Sequence, residues 1–354
     1  MNKVIDLQSR TISYLRFPLT AIVVFSHCNL LQDSSDNPIY EYIDMSFDLL
    51  SKAAVILFFF FSGYLFFIKL DKFSVENYYL KLKSRFKSLF IPYLFWNFIV
   101  VLLYLLVSVI YPSILPGESI ENYNISDWIK SFYDASCFRP DSTSPLNRPL
   151  WYIRDLIIVV ICSPAIYFLV KYLRLLCVII LGILWLVDVP SPVGFSFESF
   201  FFFSFGAYFG IFKRSFLPRI SLGHFLIFFA IIYFVLLVQI NKDSPFIIGK
   251  AMVIYGGIIC LFAAAWYAGR KIEVRNSKIS QSSFFIYCYH GVVMTAVKTI
   301  ILAVFVPVSD IAYVCVRFVT FFVVFGSGIL AYILLCKRFP SFIRIITGGR
   351  TALK

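Results

Sequence analysis

Apolar runs of membrane-spanning length recur along almost the whole chain, and short polar or basic stretches separate them. A helix needs about 20 apolar residues to cross the hydrocarbon core of a bilayer. On that length the pattern predicts about ten spans, near 12–31, 47–68, 89–110, 151–170, 173–189, 196–212, 222–240, 246–268, 281–304 and 309–336. The run at 173–189 is the shortest. The expected fold is all-α and integral to the membrane, one domain over residues 1–354 with no fused soluble domain. No internal repeat is visible.

Composition agrees with this reading: 60% of residues are hydrophobic and 14% charged, against roughly 45–50% and 25% in soluble domains. The net charge of +13 would suit nucleic acid, so the placement of the charge has to decide. Most of the 32 Lys and Arg residues fall in the amino terminus, in the connections 69–88, 171–174, 213–219 and 270–280, and in the carboxyl terminus. Alternate connections are thus basic, which predicts that both termini are cytoplasmic and that no nucleic acid is bound. Lys3 and Arg10 before the first run resemble the start of a signal peptide. The length of the run, its Arg16 and His27, and the lack of a small-residue cleavage site instead predict a retained helix. The eight cysteines form no C-x-x-C pair and mostly lie within spans, with Cys137 the loop exception, so neither a disulfide framework nor a metal site is expected. The long connection 111–150 is extracytoplasmic on this map. It reads either as the cover or acceptor surface of a site or as a loop packed on helix ends.

Ionisable groups within spans cost about 2.5–3.5 kcal/mol or more at the bilayer centre, so each implies a partner, a cavity or a function. Arg16 and His27 are eleven helical steps apart. At 100° per step they share one face, separated axially by about 16 Å. Either Arg16 snorkels to headgroups while His27 bonds a neighbouring helix, or both face a functional wall. His290 lies near the middle of the ninth predicted span. Asp155 lies at the outer end of the fourth, at the depth expected of His27. A neutral imidazole can take a hydroxyl proton, and a carboxylate on its other nitrogen would fix the tautomer. Arg154 or Arg148 would equally serve as partner to that carboxylate. Lys81, Lys83, Arg85 and Lys87 crowd the mouth of the third span. There they suit the phosphates of a nucleotide-bearing cofactor, and equally suit positive-inside charge or anionic lipid.

Taken in order, several segments resemble the type 3 family of membrane acyltransferases, polytopic enzymes that O-acylate bacterial surface sugars and related acceptors. They are Leu15-Arg16 through Ser26-His27, Phe58 through Ser62-Gly63-Tyr64-Leu65, Arg85 through Pro92-Tyr93-Leu94-Phe95-Trp96, Pro149-Leu150-Trp151-Tyr152-Ile153, Phe201 to Gly206, and Ile286-Tyr287-Cys288-Tyr289-His290. One departure is Ser88, which stands where the family often carries a second basic residue after the position of Arg85.

The resemblance implies a multi-pass protein of the bacterial inner membrane. It implies acyl-CoA, usually acetyl-CoA, as donor, and a hydroxyl of a surface saccharide or its lipid-linked precursor as acceptor. His27 is then the general base, or the group that carries the acyl covalently. Asp155 would orient it, and His290 would align substrate, act as a second acid or base, or bridge helices. Arg16, Lys83, Arg85 and Lys87 would hold the donor. Arg148, Trp151 and Tyr152 would contact the acceptor, although the two aromatic residues also suit interfacial anchoring. Ser62 and Gly63 read as close helix packing rather than nucleophilic chemistry. The competing class is a transporter or flippase of a lipid-linked saccharide, which moves its cargo without consuming a thioester.

Overall fold

The computed structural model describes residues 2–30, 38–70, 72–110, 123–140, 142–217, 246–269 and 278–350, and these contain helices, turns and irregular chain with no strand. The helices are α1 (Asn2–Ser26), α2 (Pro38–Phe67), α3 (Val75–Arg85), α4 (Ile91–Ile110), α5 (Ile125–Lys130), α6 (Trp151–Ile161), α7 (Ser163–Leu173), α8 (Leu175–Leu186), α9 (Phe197–Ile211), α10 (Phe246–Gly269), α11 (Lys278–Gln281), α12 (Ser283–Val304), α13 (Asp310–Arg338) and α14 (Pro340–Ile346).

Among the described residues, four helices are long and apolar enough to cross a membrane, or five if one bent pair counts as a single span. Leu175–Leu186, Phe197–Ile211 and Gly249–Ala265 are apolar but shorter, and the span expected at 222–240 lies outside the described residues. The fourth expected span, 151–170, is that bent pair: α6 and α7 meet at 65°. Pro164 causes the break, because it lacks the N–H that would bond the Val160 carbonyl and instead sits in the first turn of α7.

The tightest packing joins α2 to α9 through glycines. A methyl group on Gly63 would overlap the Phe203 carbonyl oxygen, and one on Gly206 the Phe60 carbonyl oxygen. With the backbones so close, the Phe60 ring reaches Phe205 at 5.4 Å and Phe216 at 5.3 Å. Small residues that admit close backbone approach are the usual basis of helix association in lipid, and the packing role expected of Gly63 is met. Gly206→Ala is expected to destabilise the protein by about 1–3 kcal/mol through overpacking. Gly326→Ala, where an added methyl would meet nothing within 4 Å, should leave stability unchanged. Thermal unfolding of both variants in detergent checks the contrast.

A second device shapes the site. α3 runs into α4 through a wide π turn, Phe86–Phe90, and Pro92 leaves the Ser88 carbonyl without its helical donor. That carbonyl accepts instead from Arg350 Nη1 at 2.8 Å. The turn after α14 reaches Ser88 because Gly348, at φ +63, packs directly on its backbone, a conformation glycine adopts without steric cost.

Candidate functional site

α1 buries Ile12, Leu15, Leu19 and Val23, and its Arg16 faces a cavity of about 380 Å³. Arg85 and Arg350 line the same cavity, together with Ser62, Tyr152 and Tyr287. Among the described residues, no Asp or Glu lines it. Three guanidinium groups thus face one space with no carboxylate in its walls among the described residues, an arrangement that favours an anion of several charges. Burial, and then the neighbouring charge of Arg85, lower the Arg350 pKa to about 10, so it remains protonated at neutral pH. Arg350 is seated by its bonds to the carbonyls of Ser88 and Thr347 and by the Phe284 ring, 3.8 Å below its guanidinium carbon.

The basic run on α3 divides by helical face. Lys81 and Arg85, four apart, turn inward: Lys81 donates to the Phe66 carbonyl and lies 4.8 Å from that ring, while Arg85 enters the cavity. Lys83 and Lys87 are exposed and do not line it.

His27 lies one residue beyond the end of α1, in a turn, and its imidazole is exposed. The His290 ring on α12 sits 5.3 Å away, tilted by 30°. His290 Nδ1 is 3.3 Å from the Ile286 carbonyl, and its Nε2 is buried with no partner among the described residues. An orphaned buried nitrogen of this kind costs free energy and is available to a bound group. Tyr287 connects the two halves of the site. It lines the arginine cavity, and its ring is 5.8 Å from that of His290. Its hydroxyl donates to the Pro149 carbonyl, and Asn147 Nδ2 donates to the Cys288 carbonyl at 3.4 Å, so the Pro149-Leu150-Trp151 segment is tied to the His290 helix.

Asp155 is not brought to His27. Its Oδ1 accepts from Arg154 Nε at 2.9 Å and its Oδ2 from Ser196 Oγ at 2.8 Å. Arg154 in turn donates to the carbonyls of Tyr133 and Thr143. Both carboxylate oxygens are therefore engaged, Oδ1 by the adjacent Arg154, which is the alternative the sequence allowed, and Oδ2 by Ser196. The charges that reach His27 are those of Lys298, Asp48 and Arg148, and Arg148 is exposed on the short turn before α6.

Trp151 and Tyr152, adjacent in sequence, face different cavities. Tyr152 joins the arginine cavity, its ring 4.6 Å from Phe59 and 6.1 Å from Tyr287. Trp151 lines a separate cavity of about 460 Å³ with Trp185, Asp188, Glu198, Lys52 and Lys250. There Trp185 Nε1 donates to Glu198 at 3.3 Å, and Lys250 pairs with Asp188 at 2.9 Å. Among the described residues no cluster of His, Cys, Asp and Glu could hold a metal ion.

Sequence reasoning did not single out Arg350, Glu198, Arg317 or Lys298 as candidate functional residues. Arg350 carries no local signal, because it follows the last apolar run and looks like ordinary terminal charge.

A family model described as an acyltransferase domain matches residues 10–336, and the chain belongs to the type 3 acyltransferase family of membrane O-acyltransferases. No curated protein and no solved structure matches the chain.

Proposed function

We propose that this membrane acyltransferase moves an acyl group, acetyl by family resemblance, from cytosolic acyl-CoA to a hydroxyl of a cell-surface saccharide or its lipid-linked precursor, in a bacterial inner membrane with both termini cytoplasmic. One observation carries the reading: a cavity lined by Arg16, Arg85 and Arg350 has no carboxylate in its walls among the described residues, and its wall residue Tyr287 packs 5.8 Å from His290, which lies 5.3 Å from His27. The arginines are the residues to hold the donor's phosphates, and Tyr152 and Tyr287 line the way for the thioester arm. The roughly 16 Å that an ideal helix puts between Arg16 and His27 is the length of path this reading gives that arm, so the donor does not cross the bilayer whole.

His27 takes the proton of the acceptor hydroxyl as its oxygen bonds to the acyl carbon. The carbon–sulfur bond then breaks, and the proton passes to the departing thiolate. Covalent carriage of the acyl group on His27 is the competing route. His290, whose ring lies beside His27 and whose Nε2 has no partner among the described residues, aligns the acyl group or relays the proton. On the acceptor side, Arg148 stands within the field of His27, and the Trp151 cavity offers indole faces with Glu198 and Asp188, a chemistry suited to hydroxyl-rich rings.

Thiol release from acetyl-CoA by the purified protein in nanodiscs, with and without a lipid-linked saccharide fraction, tests the proposal. Release that the saccharide fraction stimulates is the expected result. Transbilayer movement of labelled saccharide without thiol release would instead favour the transporter class. An acyl label on the wild-type protein that is absent from His27→Ala would favour the covalent route.

A further inference from the structure

The chain on either side of His27 is held by groups from three other helices. α1 ends at Ser26, and the last carbonyls of a helix have no partner within it, a costly condition where water is scarce. The Cys28 and Asn29 amides of the following turn reach the Phe25 and Ser26 carbonyls, and Arg317 of α13, fully buried, adds side-chain donors to both: Nε and Nη2 bond the Phe25 carbonyl at 3.3 Å, and Nη2 bonds that of Ser26 at 3.3 Å. Its guanidinium lies over the rings of Phe25 and Tyr40, at 4.8 and 5.7 Å. Its charge is met by Asp44 of α2 at 2.8 Å. Asp44 also accepts from Asn29 Nδ2 at 2.7 Å, and Lys298 of α12 donates to the Asn29 carbonyl. The Tyr40 hydroxyl accepts from the Leu30 amide at 2.9 Å and donates to Asn29 Oδ1 at 3.1 Å. Backbone or side-chain atoms of residues 25, 26, 29 and 30 are therefore fixed, while the His27 imidazole is left facing His290.

We infer that Arg317, with Asp44 and Lys298, is a positioning clamp that sets the place of the His27 ring. The inference rests on His27 being the reacting imidazole. Cations at a helix C-terminus are favourable for the dipole, but that alone would call for neither one guanidinium on the two successive carbonyls before His27 nor a second cation on the Asn29 carbonyl after it. None of these three residues needs to touch substrate, and their effect passes through His27.

The test uses the full chain in nanodiscs and compares Arg317→Met, Arg317→Lys, Asp44→Asn and Lys298→Met with wild type in two ways. The first readout is kcat and KM for acetyl-CoA. The second is the rate at which diethyl pyrocarbonate modifies His27, followed on its own peptide by mass spectrometry. In Arg317→Met, a fall in kcat of about 10–100-fold is expected from ring misplacement. The donor KM should change by less than about twofold, since donor binding is not what the clamp sets. The modification rate of His27 should shift in parallel, and Arg317→Lys should recover part of both. If Arg317→Met does not fold, Arg317→Lys, Asp44→Asn and Lys298→Met carry the same comparison. Unchanged kcat and unchanged modification rate in folded variants would overturn the clamp and leave the acyl-transfer reading intact. A shifted modification rate in a protein with no His27-dependent turnover would uphold the clamp and sink that reading.

Discussion

His27→Ala is expected to lower acyl transfer by about 10²–10⁴-fold, the range over which a positioned general base contributes, while acetyl-CoA binding stays near wild type. The separation follows from the geometry. The imidazole lies beyond the end of α1 and does not line the arginine cavity, so its loss removes the proton acceptor and leaves the anion site untouched. Stability should change little, because the ring is exposed and the chain around it is held by main-chain contacts to Arg317 and Lys298. His290→Gln should cost less in kcat, since it removes the neighbouring ring and not the base itself. Single-turnover thiol release, with donor binding measured in parallel, checks both. A His27→Ala protein that binds and turns over like wild type would remove histidine from the chemistry.

The second large effect is expected on the donor side. Arg350→Gln should raise the KM for acetyl-CoA by about 10–100-fold, because a hydrogen bond to a charged group contributes about 1.5–3 kcal/mol. At saturating donor, kcat should hold. Arg85→Gln should behave alike, and the charge-removed variants should show a weaker dependence of KM on salt than wild type. Gly348→Val reaches the same end indirectly. At φ +63, with its α-carbon against the Ser88 backbone, Gly348 tolerates no β-branched side chain, so the turn that seats Arg350 should move away. By contrast, Lys83→Gln and Lys87→Gln should leave KM within about twofold, because both side chains point away from the cavity and exposed charges are screened. Equal effects from the exposed lysines and from Arg350 would show general surface attraction instead of a built site.

How far the sequence foretold these features depended on how local each one is. The helical class followed from apolar run length alone. The shared face expected of Arg16 and His27 assumed a helix running through both, whereas His27 lies in the turn after α1 and only Arg16 lines the arginine cavity; the role of Gly63 followed from its place in an aromatic run. The break inside 151–170 was written in Pro164, but the hydropathy of the run hid it, since a bent pair and a straight span have the same average. The His27–His290 contact joins residues from the two ends of the chain, so spacing could nominate the members but not bring them together. Asp155 shows the opposite failure: a depth match suggested a partner for His27, and the adjacent Arg154 took the carboxylate. Arg350 was the least legible. Its role depends on a carbonyl released by Pro92, a glycine turn at 348–349 and the shape of a cavity, three features far apart in sequence that only the folded chain assembles.

The most direct test of the path from the arginines to the histidines is an electron cryo-microscopy map of the protein in nanodiscs with a non-cleavable thioether analogue of acetyl-CoA. The predicted result places the phosphates against Arg16, Arg85 and Arg350, the arm along Tyr152 and Tyr287, and the acyl carbonyl beside His27. Phosphates held at Lys83 and Lys87, or a carbonyl that ends away from both histidines, would contradict it.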